Sequence, residues 1–550
     1  MKKTKKALAI LTTMAMVLGM SMSVFAATDS APAKTKPVET DRAAATVSNV
    51  EAGATVTAYR IVEPAYNDKG FTGYKLAEGV TLANMLEPTS NEVTGIAADK
   101  ALLATLTKET LSAEAATGLT SYTAQLGAGY WVVIVEGSDI QEVYNPMLVG
   151  IYYSVEGSGD SNTLVDGAVD ANSKWSLNST PAYAKSEQPT IDKKITGSTG
   201  KDTSDGNESG NDVAIGDTVN FEIDTKIPSY SKSYKEVMVK ITDTMGKGLT
   251  LADPANLVVR VDGTAVVAGA DTYTFTPAAN KKSFEISFAS AYALAHSGEA
   301  VVVTYDAVLG EDAGLNFDAN TNTAKLEYTN DPSGETNEIE DKTYTYTFGI
   351  DANLFGSDQS AWNKFTEELL KTGEVRKIIL DSGEEVETTT LPGAEFTLTR
   401  ADGKTYKTVS DENGYLSFTG LDAGTYTLQE TKAPEGYSLN DTKIPVEITA
   451  TYNDNGTLNS YSIKVNNENT STYTATYDTD NKGRVENINC TPEHENDWSD
   501  VSDTHEIKNT KLSSLPSTGG IGTTIFTIGG CIIMIAAAGL FFASRRKTAK

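Results

Sequence analysis

Cysteine is almost missing from this chain. Its 550 residues hold only Cys490 and Cys531, and Cys531 lies in the C-terminal apolar run, so a disulfide framework inside the body is excluded. Histidine is nearly as scarce. His296, His494 and His505 are scattered, with no metal-ligand spacing and no Ser/His/Asp grouping, which argues against a metal centre or a triad hydrolase. Positive charge is also short. Lys and Arg number 45 against 74 Asp and Glu, a net charge of -29, and binding to a nucleic-acid backbone needs the opposite balance. No glycine-rich phosphate loop with its lysine is present, and no cofactor is expected. The acidic stretch 202–212 lacks the order and closing Glu of an EF-hand and reads as a solvated loop. Long apolar runs occur only near the two ends.

At the N-terminal end, Lys2, Lys3, Lys5 and Lys6 precede an apolar run over residues 7–20, followed by Val24-Phe25-Ala26. That order predicts a secretory signal peptide, residues 1–26, removed near Ala26. At the other end, Leu515, Pro516, Ser517, Thr518 and Gly519 stand before an uncharged run over residues 521–543 and then Arg545-Arg546-Lys547. A membrane-spanning helix needs roughly 20 apolar residues, and the basic tail fits a cytoplasmic end. The arrangement resembles the LPXTG sorting signal of Gram-positive surface proteins. The resemblance implies that a sortase cuts between Thr518 and Gly519 and rejoins Thr518 to an amine, leaving the protein in the cell wall.

Between these ends, short alternating runs rich in Thr, Val and Tyr predict an all-β protein of tandem immunoglobulin-like β-sandwiches. Residues 27–44 read as a disordered lead and 45–182 as a first domain, with helix expected within 99–116. Two prolines bracket 183–190, which reads as an extended linker. A second domain is expected over 191–331, a linker over 332–342, a third domain over 343–511 and the sorting signal over 512–550.

In the third domain, Leu391-Pro-Gly-Ala-Glu-Phe396 precedes Tyr426-Thr-Leu-Gln-Glu430-Thr-Lys-Ala-Pro434-Glu-Gly-Tyr437. Tyr426, Leu428 and Glu430 share a strand face, so Glu430 points inward, and Ile507 and Asn509 do the same in the last strand. The second segment resembles in full the E-box of CnaB-type domains. In that family a Lys of the first strand and an Asn of the last condense into an internal isopeptide bond beside an acid. The chemistry suits burial, which lowers a lysine pKa and raises that of a carboxyl. A neutral amine can then attack an amide polarised by a protonated acid. The resemblance implies Glu430 as the acid and Asn509 as the partner. Leu354 sits where the lysine is expected, so Lys371, in Leu-Leu-Lys-Thr-Gly-Glu, is favoured and Lys377 is the alternative.

In the second domain Ile191, Lys193 and Ile195 share a face, making Lys193 the buried candidate and Lys194 the solvated one. Asp243, in Ile241-Thr-Asp243-Thr-Met245, resembles the acid of pilin middle domains. Parallel first and last strands would bring Lys193 to Asn322, with Asn330 as the alternative. Trp175 followed by Tyr183-Ala184-Lys185-Ser186 partly resembles the pilin motif of sortase-assembled backbone pilins, which implies Lys185 as the acceptor amine. CnaA/CnaB-like domains and these motifs together resemble a major pilus subunit on the surface of a Gram-positive bacterium. The implied partners are a pilin-class sortase, identical subunits joined head to tail, peptidoglycan, and minor or tip pilins. The competing reading is a monomeric wall-anchored adhesin, which would not need Lys185.

Overall fold

The computed structural model describes residues 37–68, 70–81, 95–137, 140–155, 175–199, 206–354, 366–373, 377–379, 385–387, 390–478, 484–491, 504–512 and 521–547. The predicted signal peptide, the Leu515–Gly519 motif and most of the predicted lead lie outside them.

The run Gly129–Glu136 does not alternate because both of its faces are covered. Trp131, Val133 and Val135 join one apolar cluster, and Tyr130, Val132 and Ile134 join another on the opposite face. It sits inside a nine-stranded sheet whose edges are Ala182–Tyr183 and Trp175–Ser179. The helix expected within 99–116 shrinks to one turn, Lys100–Leu103, capped by the Asp99 carboxylate on the Leu102 amide at 2.9 Å. Lys108–Ala113 is instead a strand, because Leu111 is its one buried residue and pairs with Val56 across the sheet.

The second unit is a sandwich of two six-stranded sheets. One sheet holds Ile191–Ser198, Thr218–Lys226 and Ala300–Leu309; the other holds Val239–Met245, Asn320–Thr329 and Thr336–Tyr346. In Ala300–Leu309 every second residue, from Val301 to Leu309, is buried. The expected linker 332–342 is largely strand. Thr336–Tyr346 pairs with Asn320–Thr329 along its length and alternates exposed and half-buried until Lys342, so its outward charges give it a linker's composition.

The third unit is built on a seven-stranded sheet from Thr405–Val409 to Val485–Thr491. The strand Phe348–Ile350 ends at Asp351, and Leu369–Gly373 runs parallel to His505–Asn509. A clasp of two buried carboxyls ties Asp351 to the start of Leu369–Gly373. Asp351 accepts the amides of Glu368 (2.6 Å), Leu369 (3.0 Å) and Leu416 (2.7 Å), while Glu368 accepts the Asp351 amide (2.9 Å) and the Tyr473 hydroxyl (2.7 Å).

Both joints between units are bonded. At the first, Tyr234 donates to the Tyr144 carbonyl at 2.7 Å and Asn330 to the Ile140 carbonyl at 2.9 Å. At the second, buried Arg400 donates to Asp217 (2.9 Å) and Asp422 (3.1 Å), and Asp212 accepts from the Ala423 amide (2.6 Å) and Tyr452 (2.5 Å). The solvated loop expected over 202–212 therefore ends in a buried strand, Gly210–Asp212, at this joint. Arg400→Ala would leave the buried Asp422 carboxylate without its cation, while Asp217 would keep only Lys404, at 3.1 Å. The expected cost is about 3 kcal/mol, seen as a lowered melting transition and a wider spread of inter-unit angles in small-angle scattering.

The C-terminal helix runs Ile521–Lys547. Among the described residues no helix is long and apolar enough to cross a membrane; the part of this one whose side chains are described, residues 527–542, falls short of the roughly 20 required.

Candidate functional site

The second unit's site forms between its facing sheets. Lys193 is on an edge strand that pairs only with Thr218–Lys226, while Asp243 and Asn322 lie on adjacent strands of the opposite sheet. The expected pairing of parallel first and last strands is absent; the lysine meets its neighbours across the sandwich instead. Alternation sends Lys193 inward and leaves Lys194 half-exposed, paired with Asp224 at 2.7 Å.

Lys193 Nζ is fully buried 2.5 Å from Asp243 Oδ2, and 4.9 Å from the ring centroids of Phe221 and Tyr305. Burial pulls the Lys193 amine below the ordinary lysine range, outweighing the attraction of Asp243, and burial pushes the Asp243 carboxyl up. Both shifts favour the neutral amine beside the neutral acid. Two buried oxygens, Asp243 Oδ1 and Asn322 Oδ1, lack a hydrogen-bond partner, and one proton on Asp243 would supply a donor there. Asn330, the alternative partner, is spent on the first joint, where its amide bonds the Ile140 carbonyl.

The third unit gathers the same chemical groups differently. Parallel pairing of Leu369–Gly373 with His505–Asn509 sets Lys371 opposite Ile507 and Gly373 opposite Asn509. Lys371 Nζ donates to Asn509 Oδ1 at 2.5 Å and to the Ile507 carbonyl at 2.9 Å. Asn509 Nδ2 donates to Glu430 Oε1 at 2.9 Å, and the Asn440 amide holds Glu430 Oε2 at 2.8 Å. The Asn509 amide thus lies between an amine and a carboxyl, all three side chains buried. Gly373 is required beside it, since a Cβ there would lie 2.9 Å from the Tyr437 ring. Leu354 is buried in the core, and the Lys377 side chain lies outside the described residues.

Burial brings the Lys371 amine down to about 8, with Glu430 opposing. Such an amine is neutral in about a tenth of molecules at pH 7 and about nine-tenths at pH 9. Any attack by Lys371 is therefore expected to run about tenfold faster at pH 9. Unreacted chain recovered in denaturant and diluted into the two buffers, with peptide mass spectrometry over time, checks this.

Lys185 is exposed, yet it does not sit on a loose linker. Ala182–Tyr183 pairs with Val47 and Ser48, Ser186–Glu187 pairs with Val143 and Tyr144, and the Lys185 carbonyl accepts the Asn145 amide at 3.1 Å. Its backbone is pinned while its side chain faces solvent, two residues after Tyr183, which is 75% exposed.

One side chain escaped the sequence reading. Tyr305 donates to Asp243 Oδ2 at 2.7 Å and accepts from Asn322 Nδ2 at 2.8 Å and from Lys193 Nζ. Its only signal in the sequence is an inward position in an alternating strand. Among the described residues, no group of three or more His, Cys, Asp or Glu could hold a metal ion.

Comparison with known proteins gives four matches along the chain. Residues 40–186 match a T6 antigen Ig-like domain and 215–332 a Gram-positive pilin backbone subunit 2, Cna-B-like domain. Residues 377–460 match a prealbumin-like fold domain of the SpaA type and 507–550 the LPXTG cell wall anchor motif. The chain is 29% identical to the trypsin-resistant surface T6 protein of Streptococcus pyogenes serotype M6, over 92% of this chain and 95% of that one. The solved T6 backbone pilin of serotype M6 S. pyogenes, described as a modular three-domain structure, shares the fold. Its TM-score is 0.59 at 22% identity, covering 87% of this chain and all of that one.

Proposed function

Because this chain is a Gram-positive backbone pilin with an LPXTG cell-wall anchor, we propose that it is the repeating unit of a covalent pilus shaft, cross-linked internally at two sites. A pilin-class sortase cuts after Thr518 and holds its carbonyl as a thioester. Lys185 of the next subunit attacks that carbonyl, and the fibre grows head to tail until a peptidoglycan amine ends it. The protein supplies substrate groups, and the sortase supplies the nucleophile for polymerisation.

Within the second unit Lys193 condenses with Asn322 beside Asp243, and within the third Lys371 condenses with Asn509 beside Glu430. Each reaction joins a neutral amine to an amide carbon and releases ammonia. The observation that carries this reading is the burial, twice in one chain, of an amine, an amide and a carboxyl at one site, in direct contact in the third unit and joined through the Tyr305 hydroxyl in the second. Isolated buried charges are too costly to be retained without a use or a partner, and contact removes most of the entropic barrier to reaction. Peptide mapping is the test. Digestion should yield two branched peptides, joined at Lys193–Asn322 and Lys371–Asn509; recovery of all four residues in linear peptides would overturn the internal bonds.

A further inference from the structure

We propose that Tyr305 is a third catalytic group of the second unit's site, passing a proton to the departing nitrogen of Asn322. This rests on the Lys193–Asn322 condensation proposed above. The hydroxyl touches every participant. It accepts from the nucleophile Lys193 Nζ and from the leaving nitrogen Asn322 Nδ2, and donates to Asp243. Holding Nδ2 also fixes which way the amide faces, turning the leaving group toward the hydroxyl.

The two sites explain why only one needs the tyrosine. In the third unit Glu430 takes the amide hydrogen bond of Asn509 itself, at 2.9 Å. In the second the acid is an aspartate, one methylene shorter, and the bond from Asn322 goes to Tyr305, which in turn bonds Asp243. The ring is held firmly for this task. It stacks on Phe221 at 5.5 Å and meets the edge of Phe284 at 4.8 Å. Burial pushes the Tyr305 hydroxyl well above the ordinary phenol range, so it keeps a proton between transfers and works as a relay, not as a base.

The steps balance. Neutral Lys193 Nζ bonds to Asn322 Cγ as Asp243 protonates the carbonyl oxygen, and the Asp243 carboxylate then takes a proton from Nζ. Tyr305 gives its proton to Nδ2 and recovers one from Asp243 as the Cγ–Nδ2 bond breaks. Ammonia leaves, and the hydroxyl left on Cγ returns its proton to Asp243 as the new amide forms.

The test uses the full chain, recovered unreacted in denaturant, diluted into buffer and mapped over time. Proton transfer by a positioned group typically contributes 10²–10⁴-fold, so Tyr305→Phe is expected to slow the second-unit cross-link about a hundredfold. The third-unit cross-link in the same molecules should form at its normal rate. Phe221→Leu, which loosens the ring packing but keeps the hydroxyl, should slow the second unit by much less. Tyr305→Phe reacting at the parent rate, or Phe221→Leu slowing it equally, would overturn the relay. A parent chain with no second-unit cross-link would overturn the condensation itself, and is read separately in the unsubstituted control.

Discussion

Lys185→Arg is expected to abolish the ladder of SDS-resistant, high-mass material expected of the parent protein, leaving single subunits. Thioester aminolysis needs a free amine lone pair, and a guanidinium cannot be deprotonated in a protein. Arginine keeps the charge and approximate length of lysine, and residue 185 is exposed, so folding should be unaffected. The pinned backbone on either side of Lys185 presents the amine from a fixed place at the first joint. Immunoblots of wall extracts give the readout. A ladder that persists with arginine would put the acceptor at another lysine. Parent material that runs only as single units would favour the monomeric adhesin.

The second large effect is on stability. Asn509→Ala removes the electrophile of the third unit. A cross-link between residues 138 apart restricts the unfolded chain, and by analogy with a disulfide its loss should cost about 5 kcal/mol. For a unit of this size that corresponds to a fall of about 15 °C in its melting transition. The variant also leaves Lys371 buried without its amide partner, which adds to the loss. Calorimetry of the parent and variant measures it, with the second unit's transition as the internal reference. A third-unit transition unmoved by the substitution would mean that no covalent tie was present there.

Much of this was legible in the sequence, for identifiable reasons. Period-two alternation is enough to send Lys193, Asp243, Glu430 and Asn509 inward, because one face of each strand is apolar. The choice of Lys371 came from its local context, but its contact with Asn509 depends on a parallel pairing of Leu369–Gly373 with His505–Asn509 that no local pattern encodes. Phe348–Ile350 and Leu369–Gly373 are tied together by Asp351 and Glu368, two acids that look like surface residues until their backbone partners are known. Thr336–Tyr346 was hidden by outward charges, and Asp212 by its acidic surroundings; the strand at one and the contacts across the second joint at the other are long-range facts. Tyr305 was missed because an inward tyrosine in an alternating strand looks like Phe221 or Phe284, and only its hydroxyl partners distinguish it.

The most direct test is the intact mass of the recombinant secreted portion, measured after full denaturation and reduction. The expected mass is below that of the sequence by two molecules of ammonia, one for each buried amine that has become an amide. A mass equal to the sequence, with Lys193 and Lys371 both open to amine labelling once unfolded, would contradict it.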